Sequence, residues 1–113
     1  MLTKQELGVI VNSFLNGIKE LFGNSLNDVI LYGSYAREDF DEDSDIDVMI
    51  LVDIEENLFH NYRTLVSRIA DKADWDYDTL LSPIIVNYSD FEKHKNCAPF
   101  YSNVNREGVR LFV

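Results

Sequence analysis

Two apolar runs, Asp28 to Tyr32 and Ile46 to Val52, are joined by a small-residue corner at Gly33-Ser34 and an acidic loop that closes on Asp45-Ile46-Asp47. So short a connection favours two neighbouring antiparallel strands, with the acidic pair brought back beside the corner. Residues two apart on an extended strand project from one face. Asp45 and Asp47 therefore aim two negative charges at one point. At roughly 4 Å and an effective dielectric near 20, such charges repel by about 4 kcal/mol. A strand that opens on this repulsion and then turns fully apolar is expected to receive a cation.

The remaining pattern supplies what packs around those strands. Leu7, Ile10, Val11, Phe14, Ile18 and Leu21 recur at helical spacing, which predicts a helix over residues 3–22. Thr3 with Glu6 fits a capping box and Leu2 with Leu7 a hydrophobic staple; Gly23 and Asn24 supply the stop. A short helix is expected at Ser34 to Glu38, then an acidic loop from Asp39 to Ser44 and a strand from Asp45 to Val52. Leu58, Tyr62, Leu65, Val66 and Ile69 predict a second long helix from Ile54 to about Lys72, broken by Asp74-Trp75-Asp76. Tyr77 to Val86 reads as a third strand, with Pro83 pointing to an edge position. Ser89 and Glu92 open another short helix. A last helix spans Pro99 to Glu107, closed by Gly108, and Val109 to Val113 reads as a final strand. The order describes an α/β (α+β) domain, a small mixed sheet flanked by helices, filling residues 1–113 as one unit.

Charge narrows the function. Twenty acidic residues against 10 basic ones give a formal charge of −10, which speaks against an extended nucleic-acid face and fits a basic protein partner. One cysteine, Cys97, leaves no disulfide framework and no thiolate cluster. With no apolar leader and no stretch of membrane-spanning length, a cytoplasmic address and no membrane association are expected. His60 and His94 have no second histidine or cysteine at ligand spacing, so no zinc site is expected. The chain also lacks a glycine-rich loop ending in lysine, which excludes a P-loop NTPase.

What the corner and the acidic pair suit is transfer of a nucleotidyl group from a nucleoside triphosphate. Gly33 lets the backbone approach a phosphate with no Cβ between them. Ser34 adds a hydroxyl at the start of a helix, where anionic oxygen is favoured. Asp45 and Asp47 are hard oxygen ligands for Mg²⁺. Arg37, one turn on, faces the phosphates or pairs with an acid. A third carboxylate is required to share a metal or take a proton from the attacking hydroxyl. Asp78 is the first candidate and Asp76 the second, both read as lying on the third strand.

Gly33-Ser34, ten residues, then Asp45-Ile46-Asp47 resembles the Gly-Ser…Asp-x-Asp signature of the DNA polymerase beta-like nucleotidyltransferase superfamily. The fuller string, Gly33-Ser34-Tyr35-Ala36-Arg37 with Ser44-Asp45-Ile46-Asp47-Val48, is similar to its minimal nucleotidyltransferase branch. The resemblance implies a polymerase beta-like palm fold, with Gly33, Ser34 and Arg37 at the phosphates of ATP. It implies Mg²⁺ on Asp45 and Asp47, and a third acid carried onto Asp78. It further implies an antitoxin that transfers AMP to a tyrosine of a cognate HEPN ribonuclease toxin, in a type VII-like pair and within a hetero-oligomer or homodimer. Two other functions stay open: a toxin-binding antitoxin with a vestigial nucleotide site, or a nucleotidyltransferase acting on RNA or a small molecule. Glu38 departs from the family, which usually has glycine there, and is expected to face solvent.

Overall fold

The computed structural model describes residues 3–41 and 43–111. Helix α1 (Lys4–Phe22) opens on Thr3, whose hydroxyl accepts from the Glu6 N–H at 3.1 Å while the Glu6 carboxylate accepts from the Thr3 N–H. The expected capping box is present; the staple partner Leu2 lies outside the described residues. A 3₁₀ turn at Gly23–Ser25 leads into strand β1 (Leu26–Tyr32), followed by the one-turn helix α2 (Ser34–Arg37) and strand β2 (Ile46–Val52). A second 3₁₀ turn (Glu56–Leu58) precedes helix α3 (His60–Tyr77). Strand β3 (Leu81–Asn87), helix α4 (Tyr88–His94), helix α5 (Pro99–Glu107) and the two-residue strand β4 (Val109–Arg110) complete the order.

The sheet runs β3-β2-β1-β4. As expected, β1 and β2 are adjacent and antiparallel; β4 is antiparallel to β1, and β3, reached through the α3 crossover, is parallel to β2. Alternation sends Val29, Leu31, Val48 and Ile50 into one core with α1 and α3, where Ile10, Phe14, Ile18 and Val66 are buried. Ile30, Met49, Leu51 and Val86 turn to the opposite face, under Phe91 of α4 and Val104 of α5. Asp47 shares the parity of Met49, so it stands on this second face, at the open end of β2. Pro83 lies on β3, an edge strand, where a missing N–H costs no ladder bond on the outer side.

Several boundaries differ from expectation, β1 opening at Leu26 and β2 at Ile46 among them, and of the final strand read at Val109 to Val113 only Val109 and Arg110 pair, residues 112 and 113 lying outside the described ones. Helix α3 starts later, at His60, and runs through Asp74-Trp75-Asp76 to Tyr77. Ala70 and Ala73 extend its buried stripe, while Leu58 and Leu65, expected within it, are exposed. The third strand therefore begins at Leu81 rather than Tyr77, and α4 opens one residue before Ser89, capped by the Asn87 side chain accepting from the Asp90 N–H.

Candidate active site

Gly33 leaves β1 with φ 76°, a left-handed value open to glycine at no steric cost. Its carbonyl accepts from the Arg37 N–H at 3.1 Å, closing α2. Tyr35 is buried and stacks on Phe40 with ring centroids 4.3 Å apart, pinning α2 to the acidic loop. That loop then turns at Asp41, whose carboxylate accepts from the Asp43 N–H at 2.9 Å and from the Ser44 hydroxyl at 3.2 Å. The chain is thus delivered back to β2.

Across the ladder Asp47 faces Tyr32, the last residue of β1. Its carboxylate lies against Gly33, so that a Cβ on Gly33 would overlap Asp47 Oδ2. Asp47 is half-buried, and burial pushes its carboxyl above the ordinary range; the like charge of Asp45 adds to this and Arg37 opposes it. Asp45 is exposed and precedes the strand, which starts one residue later than expected. Burial, with the Asp47 charge second, also holds the Tyr32 phenol up at about 12. Arg37 Nε donates to Asp39 Oδ2 at 3.1 Å, and its Nη1 lies 3.6 Å from Glu107 Oε2 of α5. A cleft of about 230 Å³ opens there between Tyr32, Gly33, Arg37, Asn103 and Glu107. Glu38 points away, its carboxylate 2.9 Å from Lys4 Nζ on the surface.

The structure corrects the placement of the third acid. Asp76 belongs to α3 and pairs with Lys72 at 3.0 Å; Asp78 caps that helix with φ 53°. Neither is on β3. The residue in register with Asp47 there is Ser82, on the same face. Asp78 instead joins Asp45 in lining a groove of about 640 Å³ between the acidic loop, the α3–β3 turn and the start of α1. Asp74, read from the sequence only as part of a helix break, turns its carboxylate to accept from the Leu81 N–H at 2.8 Å and from the Thr79 hydroxyl at 3.3 Å, holding β3 to α3.

Among the described residues no group of three or more His, Cys, Asp or Glu side chains is arranged to hold a metal ion. The Asp45–Asp47 pair nevertheless fits magnesium, which is commonly bound through one or two carboxylates with phosphate oxygens and water completing its shell.

Residues 11–109 match the nucleotidyltransferase domain family. The chain belongs to that family. Two proteins of Methanocaldococcus jannaschii named "Putative protein adenylyltransferase" are similar to this nucleotidyltransferase. One is 41% identical over 80 residues, covering 71% of this chain and 79% of the relative; the other is 31% identical over 102 residues, covering 90% and 94%. A chain in the crystal structure of a mutant of the toxin–antitoxin pair MntA-HpeT shares the fold, with a TM-score of 0.59 at 15% identity. That match covers 89% of this nucleotidyltransferase and 71% of that chain. The minimal nucleotidyltransferase resemblance therefore holds for family and fold. No helix among the described residues is long and apolar enough to cross a membrane.

Proposed function

We propose that this nucleotidyltransferase is a Mg²⁺-dependent protein adenylyltransferase. It moves AMP from ATP to a protein hydroxyl, a tyrosine of a HEPN ribonuclease toxin, and so acts as the antitoxin of a type VII-like pair. The names of the two relatives support a protein acceptor, and the toxin–antitoxin neighbour supports a toxin partner. The observation that carries the reading is the apposition of Gly33 and the Asp47 carboxylate, with Asp45 and Arg37 in electrostatic reach.

Asp45 and Asp47 are the residues that would hold magnesium, which when bound offsets phosphate charge and orients the triphosphate. Gly33 and Ser34 receive the β and γ phosphates. Arg37 exchanges its surface carboxylate partners for the departing pyrophosphate. The acceptor hydroxyl oxygen forms a bond to the α-phosphorus as the bond to the α–β bridging oxygen breaks, and pyrophosphate leaves. With Ser82 beside Asp47 on β3, the proton passes to a carboxylate off the strand, Asp78, which shares a groove with Asp45.

The test mixes the protein with labelled ATP, Mg²⁺ and the purified product of a HEPN ribonuclease gene from the same genome. Label is expected on a tyrosine of that product. Transfer that persists in an Asp47→Asn variant would falsify the mechanism. Asp78→Asn keeps a residue at ease in the left-handed cap. It is expected to slow transfer by about 10²-fold, the low end for loss of a general base, with Mg²⁺-ATP binding retained.

A further inference from the structure

We infer that the groove between the acidic loop and the α3–β3 turn is the docking surface for the acceptor polypeptide, and that it selects a segment carrying lysine or arginine beside apolar side chains. The inference rests on the protein-acceptor reading above and adds where the acceptor lies and what chemistry it presents.

Position comes first. In a nucleotidyl transfer the attacking and leaving oxygens stand roughly in line across the α-phosphorus. Gly33 and Arg37, at the end of β1, mark the pyrophosphate side and open toward α5; the groove lies on the α1 and α3 side, lined by Glu6, Tyr35, Tyr77 and the turn before β3, and meets the acidic pair at Asp45. The groove shares Asp45 with the pair but neither Gly33 nor Arg37, so it is the side left for the nucleophile.

The groove's lining then defines its occupant. It is about 640 Å³ in volume and continues past Glu6 and Tyr77 into a second hollow of about 220 Å³. Large apolar side chains lie open along it: Val9 is 53% exposed, Leu80 57% and Tyr77 38%. Such a strip is unfavourable in water and is covered when a partner docks. Between these residues stand five carboxyl side chains, among them Asp43, Asp45 and Asp78, with no lysine or arginine in the lining among the described residues. Apart from Asp45, which would hold magnesium, that lining repels a triphosphate. A segment bearing cations and apolar side chains complements both its charge and its surface.

The test uses two fluorescent peptides of equal length, each with a single tyrosine, one flanked by Lys, Arg and Leu and the other by Asp, Glu and Leu. Binding is read by anisotropy and Mg²⁺-ATP binding by calorimetry. The wild-type protein is expected to bind the basic peptide at least about tenfold tighter than the acidic one. Asp43→Lys should erase that preference and Leu80→Ser should weaken both peptides, with the Mg²⁺-ATP heat unchanged in either variant. Equal binding of the two peptides, or of neither, overturns the inference. So does a loss of Mg²⁺-ATP affinity in both variants with peptide preference intact, which would give the groove to the nucleotide. A wild-type dimer that Leu80→Ser splits in sedimentation would give it to a second copy, and overturns the inference too. Charge-selective binding with no label transfer to the tyrosine removes the protein-acceptor chemistry and keeps the groove. Label transfer indifferent to flanking charge does the reverse.

Discussion

Gly33 carries two constraints at once, a left-handed backbone and the Asp47 carboxylate against its Cα. Gly33→Ala meets both. The backbone penalty alone is about 1–2 kcal/mol, and the Asp47 carboxylate is displaced from its position against Gly33. The variant should melt at lower temperature and, where folded, bind Mg²⁺-ATP at least about tenfold more weakly by calorimetry, a loss of roughly 1.4 kcal/mol. Tyr32 offers a second residue-level check. Its phenol is held up at about 12, by burial first and Asp47 second, so the folded state keeps a proton that the unfolded state releases near pH 10. Its contribution to stability is full below pH 10 and is lost as pH rises through about 12. Tyrosinate absorbance should show a late step near that value, absent in Tyr32→Phe. The meeting of Gly33, Asp45 and Asp47 at one corner was readable because two-residue alternation and a glycine corner are local signals. Tyr32 was not, because its partner Asp47 is fixed by ladder register rather than by spacing along the chain.

Among the elements, the α3–β3 junction is where the sequence reading failed, and the reason is physical. Asp74-Trp75-Asp76 has the polarity of a helix stop. Yet Asp74 turns its carboxylate onto the first N–H of β3, and Lys72 pairs with Asp76 at (i, i+4), so the helix absorbs all three residues. Moving the strand start by four residues took Asp76 and Asp78 off the sheet and put Ser82 beside Asp47. Asp74→Ala leaves the Leu81 N–H without its acceptor, which costs about 1–3 kcal/mol. Urea unfolding should show a lower midpoint with little change in slope. The α5 boundaries, by contrast, were plain from Pro99 at the first helical turn and Gly108 after the last.

At the scale of the molecule, 20 acidic residues against 10 basic ones make self-repulsion a term in stability. Added monovalent salt screens it, so the melting temperature should rise with ionic strength. A flat or falling dependence would show that local pairs such as Arg110–Asp28 govern instead. Overall charge was legible at once; its concentration along one groove was not, since Asp43 and Asp78 meet only through the fold. Pro83 has a consequence at this scale as well. It sits mid-way along the outermost strand, opposite Val48, and interrupts the row of amide donors that a visiting strand would need. Association along that border by backbone pairing is thereby discouraged, and recognition there falls to side chains, whose identity can be tuned to one partner without inviting fibrous stacking.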